Sequence, residues 1–131
     1  PEDVRQIALD ALSLVGLADQ QDRSAAHMTL SDRRLLEIAR ALAAKPVVVL
    51  LDEPMAGLNA IEIERMIAVI RRIRDERGVC VLWVEHKVGA IMTVCDRVIV
   101  LDHGETIADG VPADVVSNSK VIEAYLGDPA A

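Results

Sequence analysis

Apolar residues recur at helical spacing near the start of the chain, at Val4, Ile7, Ala8, Ala11, Leu12 and Val15. Asp3 precedes them and Gly16 follows, so the pattern predicts an amphipathic helix with a glycine stop. A polar connection over residues 19–27 comes next. A second helix is expected over about residues 32–44, with Leu35, Ile38, Ala39 and Leu42 on one face and Pro46 ending it. The pattern then changes character. Residues 47–51 read Val-Val-Val-Leu-Leu and stop at Asp52-Glu53-Pro54. An apolar run without alternation predicts a strand covered on both faces, hence a central strand of a parallel sheet.

Helical spacing returns over residues 60–77, where Ile63, Met66, Ile67, Ile70 and Ile73 form a stripe and Gly78 a cap. A second apolar strand is expected at 79–84, ending in Glu85-His86, then a short helix at 88–94. A third strand at 98–101 turns through Asp102-His103-Gly104 into a partner at 106–108. Two short helices, near 113–117 and 120–126, close the chain. Strands alternating with helices specify a layered α/β domain with right-handed crossovers. The chain has no internal repeat and no low-complexity segment.

Composition narrows this picture. The 131 residues suit one domain, and folding would bury roughly two-thirds of the unfolded surface. The hydrophobic share is 52%, yet there is one Trp, one Tyr and no Phe, so the core must be aliphatic. The net charge of -7, with arginines interspersed among acids, argues against a nucleic-acid surface. Cys80 and Cys95 lie in apolar surroundings at no metal-binding spacing, the pattern of reduced cysteines in a cytoplasmic protein. No apolar run approaches the roughly 20 residues that span a bilayer, and no signal-peptide pattern opens the chain. The first residue is Pro1 rather than Met, as in a piece of a longer protein or after initiator removal.

Candidate chemistry sits at the strand ends. In open α/β sheets ligands gather beyond the carboxyl ends of the strands. Here one strand ends in Asp52-Glu53 and the next in Glu85-His86. An acid directly after a buried run is costly unless something uses it. A Mg²⁺ ion near nucleotide phosphates is one such use, and a second acid beside the first can orient an attacking water. The alternative for Asp52 alone is a helix or loop cap. Two adjacent acids closing an apolar strand make that reading less economical.

Several segments carry a family resemblance. Residues 47–54, Val-Val-Val-Leu-Leu-Asp-Glu-Pro, followed by Met-Ala-Gly-Leu-Asn, resemble the Walker B motif and D-loop of ABC ATPases. Residues 36–42 resemble the helix after the ABC signature, and Trp83-Val84-Glu85-His86 the switch-histidine region. The order and spacing of all three match, and the resemblance covers essentially the whole chain. The tail, Asp109-Gly110-Val111-Pro112 and then Val121 through Gly127, is most similar to ATPases of branched-chain amino-acid importers. Lipopolysaccharide-export ATPases end in a similar way.

The resemblance implies a partial P-loop NTPase fold. Residues 1–45 would be part of the helical subdomain and 46–131 the later half of the ATPase core. Asp52 would hold Mg²⁺ through water, Glu53 would polarise the hydrolytic water, and His86 would contact the γ-phosphate of ATP. Asn59 would lie at the interface with a second, head-to-tail ATPase subunit. Membrane permease subunits would be the other partners, and the site would be cytoplasmic, peripheral on the inner face of the membrane. For His27 and His103 an ordinary loop role is the simpler reading.

The chain also departs from the family pattern. Residues 28–32, Met-Thr-Leu-Ser-Asp, stand where the family has Leu-Ser-Gly-Gly-Gln against the partner's ATP. Thr29 keeps the hydroxyl, Leu30 and Ser31 replace glycines, and Asp32 places a negative charge where phosphate would rest. As a helix N-cap, Asp32 would be worth about 1 kcal/mol. Nowhere do the 131 residues contain the phosphate-cradling G-x-x-x-x-G-K-S/T, and none of Lys45, Lys87 and Lys120 follows a glycine. In the family the phosphate-loop strand lies between those resembling 79–84 and 98–101. Without it both would carry unpaired apolar edges, inviting a homodimer, a strand swap or marginal stability.

Three functions follow from these features. The first is a fragment of the ATP-hydrolysing subunit of an amino-acid importer, inactive alone because phosphate positioning supplies most of the catalysis. A truncated, non-catalytic paralogue that regulates a complete ATPase is the second. The third, an ABC ATPase of DNA repair or chromosome maintenance, would need a coiled-coil insertion and a basic surface, for which the span from Gly57 to Val79 is too short.

Overall fold

A computed structural model describes residues 3–127. Residues 1–2 of the first expected domain and 128–131 of the second lie outside them. Packing divides the chain into two units, one ending at Glu85 and the other starting at His86. That cut separates packed bodies, whereas the expected 45/46 boundary separates motifs.

The first unit begins with α1 (Val4–Leu14), whose N-terminus is capped by Asp3 accepting from the Arg5 amide at 3.0 Å. Two single 3₁₀ turns, Ala18–Gln20 and Ala25–His27, carry the polar connection. Helix α2 (Leu30–Ala43) starts earlier than its spacing predicts. Thr29 is its cap, accepting from the Asp32 amide at 3.1 Å, and Asp32 lies within the first turn. The expectation of Asp32 as N-cap is thereby corrected. A threonine hydroxyl three residues upstream satisfies one of the first turn's free amides and extends the helix backwards.

Strand β1 (Val48–Asp52) pairs in parallel with β2 (Cys80–Val84), in a register that sets Val48 opposite Cys80 and Asp52 opposite Val84. Between them runs α3 (Ala60–Arg77), opened by a capping box and closed by Gly78 at φ 62°. Asn59 accepts from the Glu62 amide while the Glu62 carboxylate accepts from the Asn59 amide, both at 3.0 Å. Arg74 and Arg77 in the last turn suit the negative end of the helix dipole. The core joins Leu14, Val15 and Leu17 to Leu35 and Ile38 of α2, Val49 and Leu51 of β1, and Met66, Ile70 and Ile73 of α3.

Strand β1 is not covered on both faces, which corrects the reading of its apolar run. Val49 and Leu51 are buried, but Val48 is 48% and Leu50 71% exposed. On the same side of β2, Leu82 and Val84 are each 57% exposed. Among the described residues only β2 pairs with β1, so the sheet there has two strands and one of its faces meets helices. The run of five apolar residues therefore signals two apolar faces, of which this unit buries one.

The second unit holds α4 (Val88–Val94), then the antiparallel pair β3 (Val98–Asp102) and β4 (Glu105–Gly110), with a register shift after Val100. Helix α5 (Pro112–Val116) and a turn at Ser119–Val121, which runs into a π-helical turn at Ile122–Leu126, complete it. Val98, Val115 and Val121 form its buried centre, with Ile91, Met92 and Val100 packed around them. Two further bonds hold its rim. Arg97 at the start of β3 donates twice to the Asp109 carboxylate, at 2.7 and 2.6 Å, and the Tyr125 hydroxyl donates to the Leu101 carbonyl.

The open face of the β1–β2 ladder generates a test. An apolar sheet face exposed along both strands favours association of chains. Leu50 and Leu82 are cross-strand partners, so Leu50→Lys with Leu82→Glu replaces an apolar pair by one of opposite charge, worth about 0.2–1 kcal/mol. Sedimentation velocity is expected to show the unsubstituted chain self-associating and the double variant monomeric, with unchanged circular dichroism. Identical sedimentation of the two would count against it.

Candidate functional site

The β1–β2 ladder ends in acid. Asp52 is the last residue of β1 and Glu53 follows it, both exposed. The Glu53 amide donates to the Val84 carbonyl at 2.8 Å, continuing the ladder one step beyond the strands. Glu53 does so with φ 44°, in the left-handed region that side chains other than glycine occupy at a cost of about 1–2 kcal/mol. Such strain persists only where neighbours enforce it, and it concentrates at functional positions. Here the enforcing neighbours are the bond to Val84 and the turn after it. Ala56 donates to the Glu53 carbonyl and Leu58 to the Met55 carbonyl, each at 3.1 Å, over a fully buried Met55.

A cleft of about 170 Å³ lies beside these acids, and Arg34, Glu37 and Asp52 contribute to its lining. Arg34 pairs with Glu37 at 3.8 Å, yet its Nε is buried without a hydrogen-bond partner. A larger cleft, about 430 Å³, is lined by Lys45, Pro46 and Val79, at the opposite ends of the same strands. Among the described residues no group of three or more His, Cys, Asp or Glu side chains is placed to hold a metal ion. A cation at Asp52 would thus take its other ligands from water and from a bound phosphate. Mg²⁺ accepts that arrangement readily.

The second set of expected residues surrounds the start of α2. Thr29 is exposed, whereas Ser31 and Asp32 are 2% and 6% exposed. Ser31 Oγ has no hydrogen-bond partner. Asp32 is fully engaged, accepting from Arg65 Nη1 at 2.7 Å and from Gln20 Nε2 at 3.2 Å. Burial pushes its carboxyl up, but the bonds from Arg65 and Gln20, the charge of Arg65 and the Thr29 hydroxyl outweigh this and hold it below the usual range. Its negative charge is compensated inside the unit.

The structure thus brings Asp52 and Glu53 together at one strand end and Thr29, Ser31 and Asp32 at one helix start. Asn59 spends its side chain on the α3 capping box, a task an aspartate performs equally well. His86 is exposed and opens the second unit. His103 lies in the β3–β4 turn with Nδ1 2.9 Å from Asp102. Sequence reasoning missed Arg65 and Gln20. A signal existed, because Asp32 falls on the same helical stripe as Leu35, Ala39 and Leu42, and a carboxylate on a buried stripe requires a partner.

Comparisons with known proteins give the chain its relatives. A family model described as "ABC transporter" matches residues 2–56, and one described as "Branched-chain amino acid ATP-binding cassette transporter" matches residues 105–131. The high-affinity branched-chain amino acid transport ATP-binding protein BraF of Pseudomonas aeruginosa is 39% identical over 117 residues, 89% of this chain and 46% of that protein. The methionine import ATP-binding protein MetN of Burkholderia thailandensis is 37% identical over 128 residues, 96% of this chain and 37% of that one. Among solved structures, the ADP conformation of MJ1267, an ATP-binding cassette of an ABC transporter, superposes with a TM-score of 0.86 at 27% identity. That match covers 98% of this chain and 52% of the other. The chain spans about half the length of BraF and of MJ1267, and less of MetN.

Two predictions follow from the local physics. Glycine removes the strain at φ 44° that alanine keeps, so Glu53→Gly is expected to be more stable than Glu53→Ala by about 1 kcal/mol in urea denaturation. Equal stabilities would mean that the turn is relaxed. For Asp32 the folded-state pKa is lowered, so its stabilising contribution is complete above the ordinary aspartate value of about 3.9 and lost as pH falls through the lowered one. Asp32→Asn is expected to flatten that part of the stability profile below about pH 4, measured by denaturation at stepped pH.

Proposed function

The chain belongs to the ABC-transporter family of ATP-binding proteins, and from that premise we propose that it supplies the metal-holding and water-orienting acids of a longer ATP-hydrolysing transport subunit. The observation that carries this reading is the pair Asp52-Glu53, closing a strand whose register with β2 holds both acids at one end of the sheet. Asp52 would hold Mg²⁺ and Glu53 would orient the attacking water, while Mg²⁺ bound with ATP would neutralise charge on the phosphates. The exposed acids beside a cleft to which Arg34 contributes fit an anionic ligand carrying a cation. His86 would face the γ-phosphate. Thr29 and Asn59 would lie toward the nucleotide of a second subunit, whereas Ser31 and Asp32, expected beside them, are turned into the unit; membrane permease subunits would be the further partners.

Branched-chain amino acids are the proposed cargo. The support is the match of residues 105–131 and the printed function of BraF. MetN, named for methionine import, is nearly as similar, so the tail carries the choice between them. No helix among the described residues is long and apolar enough to cross a membrane, which suits a subunit that docks on permeases from the cytoplasmic side. One observation favours the second reading, a non-catalytic regulator. With Ser31 buried and Asp32 engaged, Thr29 and Leu30 are the residues of this stretch left facing solvent.

The experiment is phosphate release from MgATP. The 131-residue chain is expected to show no turnover above background, since it lacks a phosphate-cradling loop. In the intact subunit with its membrane partners, Glu53→Gln is expected to lower ATP-driven leucine uptake by about 100-fold or more. Turnover by the isolated chain would overturn the expectation that it is inactive alone, and uptake indifferent to Glu53→Gln would overturn the assignment of Glu53.

A further inference from the structure

We propose that Arg65 and Leu30 are positioning residues that lock the start of α2 to the turn bearing Glu53 and to α3, so that residues 29–32 and 53–59 move as one body. Two contacts close the lock. On one side the Arg65 guanidinium reaches Asp32 at 2.7 Å with Nη1 and the Gly16 carbonyl at 3.3 Å with Nη2. Gln20 adds its amide to the same carboxylate at 3.2 Å. A single side chain of α3 thereby joins the residue after α1 to the first turn of α2, and through Asp32 the 3₁₀ turn bearing Gln20 is held as well. The charged groups bearing on Asp32 are Arg65 and, one bond further out, Arg23, which donates to Gln20 Oε1 at 3.3 Å.

On the other side Leu30 Cδ2 lies 3.1 Å from where a β-carbon on Gly57 would stand. Gly57 has φ +78°, which favours glycine, and a β-carbon there would press on the Leu30 side chain. It belongs to the turn that begins at Glu53 and ends at Asn59, the cap of α3. Six residues further along α3 stands Arg65. Two links through space, Leu30 to Gly57 and Asp32 to Arg65, are joined by the backbone of residues 30–32 and 57–65 into a closed ring. Because the ring uses Asp32 internally, the acid is held away from acting as a free charge at the helix start. The functional consequence, that the two candidate stretches keep a fixed separation, rests on the reading proposed above. The ring itself does not.

The test uses carboxyl NMR titration of Asp32 and amide hydrogen exchange on the 131-residue chain. Arg65→Gln is expected to raise the Asp32 titration, because burial is then opposed only by the Gln20 and Thr29 hydrogen bonds. Arg65→Lys, which keeps the charge, is expected to restore it to the low side. Leu30→Gly and Arg65→Gln should each speed exchange at residues 56–58 on the order of tenfold, although neither alters that segment. The double variant Asp32→Asn, Arg65→Gln leaves no buried charge unpaired and keeps the chain folded; faster exchange at 56–58 is expected there too. An Asp32 titration unmoved by Arg65→Gln, or exchange at 56–58 as in the parent chain, would overturn the proposal. Neither readout involves nucleotide, so a failed ATPase assignment leaves the ring standing, and a failed ring leaves that assignment standing.

Discussion

Parallel pairing of β1 with β2 is the constraint from which the rest of the first unit follows. A parallel pair cannot be closed by a tight turn, so residues 53–79 must cross over one face of the sheet, and α3 does this. The crossover buries Met66, Ile70 and Ile73, fixing which face of the sheet is dry. The register then sets Asp52 level with Val84, and the extra bond from the Glu53 amide to Val84 forces the chain to leave the sheet in a left-handed step. The two acids are adjacent in sequence, but it is the ladder that makes them the end of a strand rather than part of a loop.

Much of this was legible in the order of residues, and the parts that were not share a physical cause. Helical stripes identified α1, α3 and most of α2 because each helix buries one face against a common core. Asn59 and Gly78 marked the ends of α3 by cap chemistry that acts within a few residues. The run at 47–51 announced a strand, yet its apolar residues do not say which face will be covered, since that depends on how many strands pair. Leu50 and Val49 are equivalent in the sequence and opposite in the fold. The partner of Asp32 was hidden for a related reason. Arg65 is 33 positions away, and no local pattern ranks one arginine of eleven above the others.

The two units rely on different cements. In the first, aliphatic burial dominates and one polar cluster, around Asp32, is drawn into the core margin. The second has a smaller centre of three buried valines, and its rim is held by polar contacts such as Arg97 with Asp109. That pair is exposed on both sides, so it sets register more than it adds stability. The Tyr125 hydroxyl works to the same end, tying the π-helical turn to the last carbonyls of β3 and so ordering a tail segment that local propensity alone would leave frayed.

Acids in the first unit are therefore divided by what surrounds them. Asp32 lies on a buried stripe, where an unpaired carboxylate would be driven to take up a proton, and the fold answers with a guanidinium and an amide. Asp52 and Glu53 lie where the strand emerges into solvent, and the strain at Glu53 is tolerated rather than relieved. Replacing the glutamine of the family pattern with Asp32 would place a charge against a phosphate if the side chain faced outward. Turned inward and paired with Arg65, it instead fastens the helix start to α3. The residue by which positions 28–32 depart from the pattern they resemble thus has its partner inside the fold. Charge at this position has to be judged together with its partner 33 residues away.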